Sequence, residues 1–251
     1  MENELNPLKA PIILAVDTAT LGGSVSLIRG DSILVSRIGE PAISHSNSLL
    51  RDINSCLEEA AVKLQDIDLF AAASGPGSFT GLRIGLATVK ALSRTLGRPC
   101  AGVPTLHAVA HAAGPSSATV GMLPAGRGEV FVQLLSVSAD DSLIELDTAA
   151  HLPPRKVLEM YGSMKPLKWA GEGAHLHRLL LIEYAQEKGI EFTEGESAQP
   201  SRDPAWILSP REDNLSKHVA LLALWQLESG HVIQPDSLRA IYVRPSDAEL
   251  K

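Results

Sequence analysis

The sequence has 251 residues, of which 45% are hydrophobic and only 4% aromatic, and it carries a net charge of −7. That length holds one large domain or two ordinary ones with an ample core, while the acidic balance argues against gripping nucleic acid by bulk charge, which needs clustered Lys and Arg. Two cysteines without metal spacing read as free thiols, and the polar start MENELNPLKA together with the lack of a membrane-length apolar run leads to the expectation of a soluble cytoplasmic protein.

Pro11 to Val16 is a short apolar run ending in Asp17, followed by a turn over Leu21 to Gly23. Ser24 to Arg29 and Asp31 to Arg37 continue as strands, giving two hairpins. An antiparallel opening with an acidic residue after the first strand is the entry of actin-like and sugar-kinase ATPases, in which the first turn faces the nucleotide phosphates. Asp17 and Thr18 are therefore cofactor candidates, although a plain turn carboxylate fits as well. Ser44 to Leu64 predicts a helix with one apolar stripe, including Leu49, Leu50, Ile53 and Leu57, and Asp66 to Ser74 a buried strand.

The next stretch, SGPGSFTGLRIGLATVKALSRTL, is a loop of turn formers feeding a helix that Ser78 or Thr80 can cap. Its charges, Arg83, Lys90 and Arg94, fall on one edge, so the rest of the circumference is apolar. A helix of that kind is expected to be covered twice, by its own domain and by a second body. The loop lacks the Lys-Ser/Thr of a Walker motif after its last Gly, which favours a structural or interface role over phosphate binding.

Cys100 to Val103 predicts a strand and Leu106 to Ala113 a helix, with Thr105 as its cap. His107 and His111 stand four residues apart, a metal-ligand spacing without a nearby third ligand in the sequence. Strands follow at Ala118 to Leu123, Glu129 to Ser136 and Leu143 to Ala149, so the second half opens as the first does, suggesting a duplication. Then come a helix at Pro153 to Tyr161, a strand at Leu167 to Ala170, a helix at Ala174 to Lys188, a surface loop at Glu194 to Asn214 and a helix at Leu215 to Glu228. LRAIY near the end reads as a short strand.

With these residues in hand the chain resembles the TsaB (YeaZ) family, the dimerisation subunits of the bacterial machinery that makes threonylcarbamoyladenosine in tRNA. The resemblance rests on ILAVDTAT with GGSVSL, HSNSLLRDI, SGPGSFTGLRIGLATVKAL, GVPTL, RGEVF, GEGA and YVRPSDAE, in the family's order. It implies an α/β, actin-like (ASKHA) ATPase-type fold of two lobes, each with a mixed sheet and flanking helices. The lobes are expected at residues 1–104, carrying the dimerisation helices, and 105–251, with the terminal helix able to pack back on the first.

The resemblance further implies a non-catalytic subunit without cofactor or metal. Its partners would be a catalytic sister, TsaD, an ATPase, TsaE, a second copy when alone, and tRNA only through the complex. The sister moves the threonylcarbamoyl group to adenosine 37 of tRNAs reading codons that start with A. Its metal-binding histidines align with Thr105 and Val109, or with Leu106 and Ala110, so His107 and His111 are out of register. The implied interface comprises Leu50, Ile53, Phe79 and Thr80, together with Arg83, Ile84, Leu86 and Ala87. Where the family reads Asp-Ala-Arg-Arg-Gly-Glu-Val, this chain has Pro124 to Val130, PAGRGEV, and lacks the acidic residue and the first arginine. An independent ATPase using Asp17 and Thr18, and a metallopeptidase using His107 and His111, are the competing expectations.

Overall fold

The computed structural model describes residues 10–40, 45–195 and 205–243. Strands β1 (Ile12–Asp17), β2 (Ser24–Arg29) and β3 (Ser32–Ile38) form the expected antiparallel run. Helix α1 (His45–Glu59) leads to β4 (Leu69–Gly75), and α2 (Phe79–Leu96) to β5 (Cys100–Pro104). β4 and β5 add in parallel, so the first sheet has the order β3-β2-β1-β4-β5. Every residue of β1 and β4 is buried, because helices cover both faces of the sheet.

The second sheet repeats the plan. After α3 (Thr105–Ala112), β6 (Ser116–Gly126) and β7 (Glu129–Val137) pair antiparallel, extended by β8 (Leu143–Glu145) and β9 (Ala150–Leu152). α4 (Pro154–Tyr161) precedes β10 (Leu167–Ala170), which joins β6 in parallel. α5 (Glu172–Leu176) and α6 (Arg178–Glu187) follow, then β11 (Phe192–Glu194) and β12 (Trp206–Leu208). The order is β11-β12-β10-β6-β7-β8, with β9 also on β7. Its core is anchored by Trp169 and Trp206, edge to face at 4.9 Å.

Several expectations need correction. Residues 205–208 of the expected surface loop enter the second sheet, with Trp206 fully buried, while 196–204 lie outside the described residues. The helix expected over Ala174 to Lys188 begins earlier and is divided at His177. Thr105 does not cap α3; its hydroxyl accepts the Gly75 N–H at 3.1 Å, tying α3 to the end of β4. Residues 238–243 form no strand; Ile241 N–H donates to Ser74 O at 2.7 Å without a ladder forming, and the rest of the tail lies outside the described residues.

Helix α7 (Leu215–Glu228) returns to the first sheet, placing Val219, Ala220 and Ala223 against Ile13, Ala15 and Leu69. A buried polar network fixes its start. Ser216 Oγ lies 2.6 Å from Ser26 Oγ, Ser216 N–H donates to Ser24 Oγ at 3.0 Å, and Asn214 donates to Ser36. Cys56 and Cys100 are buried free thiols, both pushed up to about 11 by burial, which keeps them protonated and unreactive. Among the described residues no helix is long and apolar enough to cross a membrane.

Candidate functional site

The loop before α2 closes around the first turn of the chain. Ser78 is the N-cap, its side chain accepting the Gly81 N–H at 3.2 Å, while its own N–H donates to Ala19 O at 2.8 Å. Thr18 Oγ1 donates to Gly81 O at 2.7 Å. Asp17 accepts the Ala19 N–H at 2.8 Å with one oxygen and the Thr20 hydroxyl with the other.

The glycines make this approach possible. A Cβ at Gly81 would stand 1.9 Å from Thr18 O, one at Gly77 2.5 Å from Ala19 O, and one at Gly85 2.3 Å from Thr18 Oγ1. The space beside Asp17 and Thr18 amounts to about 10 Å³, room for one water. Ala19 O and the Ser78 side chain thus take up the Ser78 and Gly81 N–H groups at the start of α2, while Asp17 and Thr18 hold the turn.

α1 and α2 lie side by side on the first sheet. Leu49, Ile53, Leu86 and Val89 face it. Two of the expected interface residues are therefore interior: Ile53 is 4% exposed and Leu86 6%. The helical period assigns them to the sheet-facing stripe, four residues on from Leu49 and Leu82. Leu50, in contrast, is 66% exposed. On α2, Thr80, Arg83 and Ala87 are exposed and Ile84 half-buried, and Ala91 continues the outer stripe. Half-buried Phe79 is flanked by Tyr242 at 5.5 Å and by the Arg83 guanidinium, 3.8 Å over its ring.

The two histidines of α3 part company. His107 Nε2 is 2.9 Å from Glu145 Oε1, whereas His111 Nδ1 lies 2.8 Å from His218 Nδ1 on α7. Burial, reinforced by His218, lowers the His111 pKa to about 4, so it stays neutral and one ring can accept from the other. The His218 imidazole, 3.7 Å away, and then Lys217, at 2.6 Å, lower Glu212 to about 2. Among the described residues no group of three or more His, Cys, Asp or Glu is placed to hold a metal ion.

Between the sheets lies a cleft of about 180 Å³ that the sequence did not reveal. Leu21 and Ile38 line one wall, Val109, Leu123 and Leu215 the floor, and Glu172, Arg211 and Asp213 the rim. Arg211 is committed to Asp213 at 2.5 Å, leaving Glu172 at 3.9 Å. At the GEGA motif beside it, Gly171 (φ 90°) packs so closely on β6 that a Cβ would stand 2.4 Å from Met122 O. The altered PAGRGEV stretch is the β6–β7 hairpin, turning through Gly126, Arg127 and Gly128, all with positive φ.

Comparison with known proteins places this geometry. The family model "TsaD: tRNA N6-adenosine threonylcarbamoyltransferase" matches residues 40–177, more than half of the chain. An uncharacterized protein of Mycobacterium tuberculosis is 35% identical over 99 residues, 39% of this chain and 47% of that protein, so the match spans under half of that relative's length. The tRNA threonylcarbamoyladenosine biosynthesis protein TsaB of Bacillus subtilis is 27% identical over 95% of this chain and 96% of its own. Among solved structures, YeaZ from Pseudomonas aeruginosa superposes with a TM-score of 0.70 at 24% identity, covering 92% of this chain and 99% of that one, which shows the shared fold. With the actin-like two-sheet architecture and these matches together, the chain belongs to the TsaB (YeaZ) family, within the wider group that the TsaD model describes.

Proposed function

We propose that this chain serves in forming N6-threonylcarbamoyladenosine at position 37 of tRNAs reading codons that start with A, as the non-catalytic subunit that docks and supports a catalytic TsaD-type sister. In this reading it acts in the cytoplasm, forms a homodimer when alone, and shares its complex with the ATPase TsaE. The observation that carries it is the outer face of α1 and α2. Leu50, Thr80, Ile84, Ala87 and Ala91 offer small and apolar groups on two neighbouring helices that pack on one sheet. Small residues let a second helix pair approach to packing distance, and apolar area removed from water drives association.

The state of the first turn supports a supporting role. A phosphoryl-handling subunit needs helix amides free to meet an anion, and here Ala19 O and the Ser78 side chain accept from Ser78 and Gly81. Solution mass by light scattering tests the proposal, on this chain alone and mixed with a TsaD-type protein from the same source. A self-dimer that exchanges for a mixed complex is the expected result. A chain that stays unchanged on mixing would overturn it, and ATP turnover lost in Asp17→Ala would install the ATPase reading instead.

A further inference from the structure

We propose that the strip where α2, the crossing segment 231–242 and the outer end of α7 meet is a binding surface for single-stranded RNA. The choice of RNA over another polyanion rests on the role in tRNA modification proposed above. The strip wraps the edge of the first sheet, where Ile233 bridges Cys100 of β5 and Ile241 N–H donates to Ser74 O at 2.7 Å.

Its charge runs against that of the whole chain. α2 contains no acidic residue, and Arg83, Lys90 and Arg94 share an edge within roughly 40° at 100° per residue. Arg98 follows at the helix end, and Arg239 is exposed on the crossing segment. Asp236 offsets Arg94 at 2.6 Å and Asp68 approaches Arg98 at 3.8 Å, which leaves a local cationic excess in a protein of net charge −7. With a Debye length of about 8 Å at physiological salt, a bound strand responds to these neighbours and not to the distant carboxylates.

Aromatic faces alternate with the cations. Trp225 is 54% exposed at the end of α7 and stacks on His231 at 5.7 Å. Tyr242, half-exposed, lies against Phe79 at a tilt, and the Arg83 guanidinium sits over the Phe79 ring. Between these two aromatic pairs runs a groove of about 420 Å³, lined by Gln226, Arg239, Ile241 and Ser74. The Ser74 hydroxyl is buried with no hydrogen-bond partner among the described residues. Stacking platforms spaced among arginines are what an unpaired strand requires: faces for the bases and charges for the phosphates.

The test is fluorescence anisotropy of a labelled anticodon stem-loop RNA with the chain alone, between about 50 and 200 mM salt. Micromolar binding at the low end is expected, weakened about five- to tenfold by Trp225→Ala. Arg239→Glu and Arg94→Glu should each reduce the salt slope by about 0.7. Lys156→Glu, an exposed reversal on α4 away from the strip, should match wild type. Absent binding at low salt, a Trp225→Ala variant that binds normally while melting normally, or a loss with Lys156→Glu equal to that with Arg239→Glu would overturn the proposal. Because no second protein is present, such a failure leaves the subunit reading standing, so the two failures are told apart.

Discussion

Helices α2 and α7 look alike in sequence and differ in what covers them. Both are apolar around most of their circumference, α2 because its three charges share an edge and α7 because Val219, Leu221, Leu222, Leu224 and Leu227 leave little polar surface. α7 finds its cover inside the chain, with the first sheet on one side and α3 on the other. α2 has the sheet beneath it and small residues outside. An all-round apolar helix thus signals two contacts but not whether the second belongs to the same chain; the size of the outward residues separates the cases.

Substitution with a charge should expose that difference most strongly. Ala220→Asp on α7, or Leu86→Asp on the inner side of α2, buries an uncompensated carboxylate and should cost more than about 4 kcal/mol in urea unfolding. Gly81→Ala, which drives a methyl group into Thr18 O, should cost about 3 kcal/mol in the same measurement. The interior contact of α7 also predicts a pH dependence. His111 binds a proton more weakly folded, at about 4, than its ordinary 6.5, so the unfolded state takes up more protons between those values. Stability should therefore fall as pH drops through that window, by about 2 kcal/mol, and His111→Gln should flatten the thermal midpoints measured across it. Ala87→Asp, on the outer side of α2, should shift stability by no more than about 0.5 kcal/mol while abolishing assembly with a TsaD-type partner in light scattering.

Long periodic segments and turn residues were readable from sequence alone. The β1 to β3 hairpins, α2 with its Ser78 cap and α7 to the residue followed from period and punctuation. Short elements were not. β12 is three residues, Trp206 to Leu208, in a stretch rich in Pro and Ser, and only its neighbours in the sheet make it a strand. LRAIY has strand composition, yet β5 receives just the bridge from Ile233 before the segment turns across the sheet edge. At the candidate interface the period told Leu50 from Ile53 only once the sheet side was known. The cleft between the sheets draws residues from the first hairpins, α3, β10 and the segment before α7, a convergence that no local pattern records.

The return of α7 to the first sheet has a consequence for synthesis on the ribosome. Ile13, Ala15 and Leu69 wait for Val219, Ala220 and Ala223, separated from them by the whole second sheet. At about 5–20 residues per second, the nascent first half would spend on the order of ten seconds with that face uncovered. A chain stalled or cut before Leu215 therefore presents a greasy sheet to its surroundings, which makes this face the natural client surface for a chaperone and the fragment a natural target for degradation.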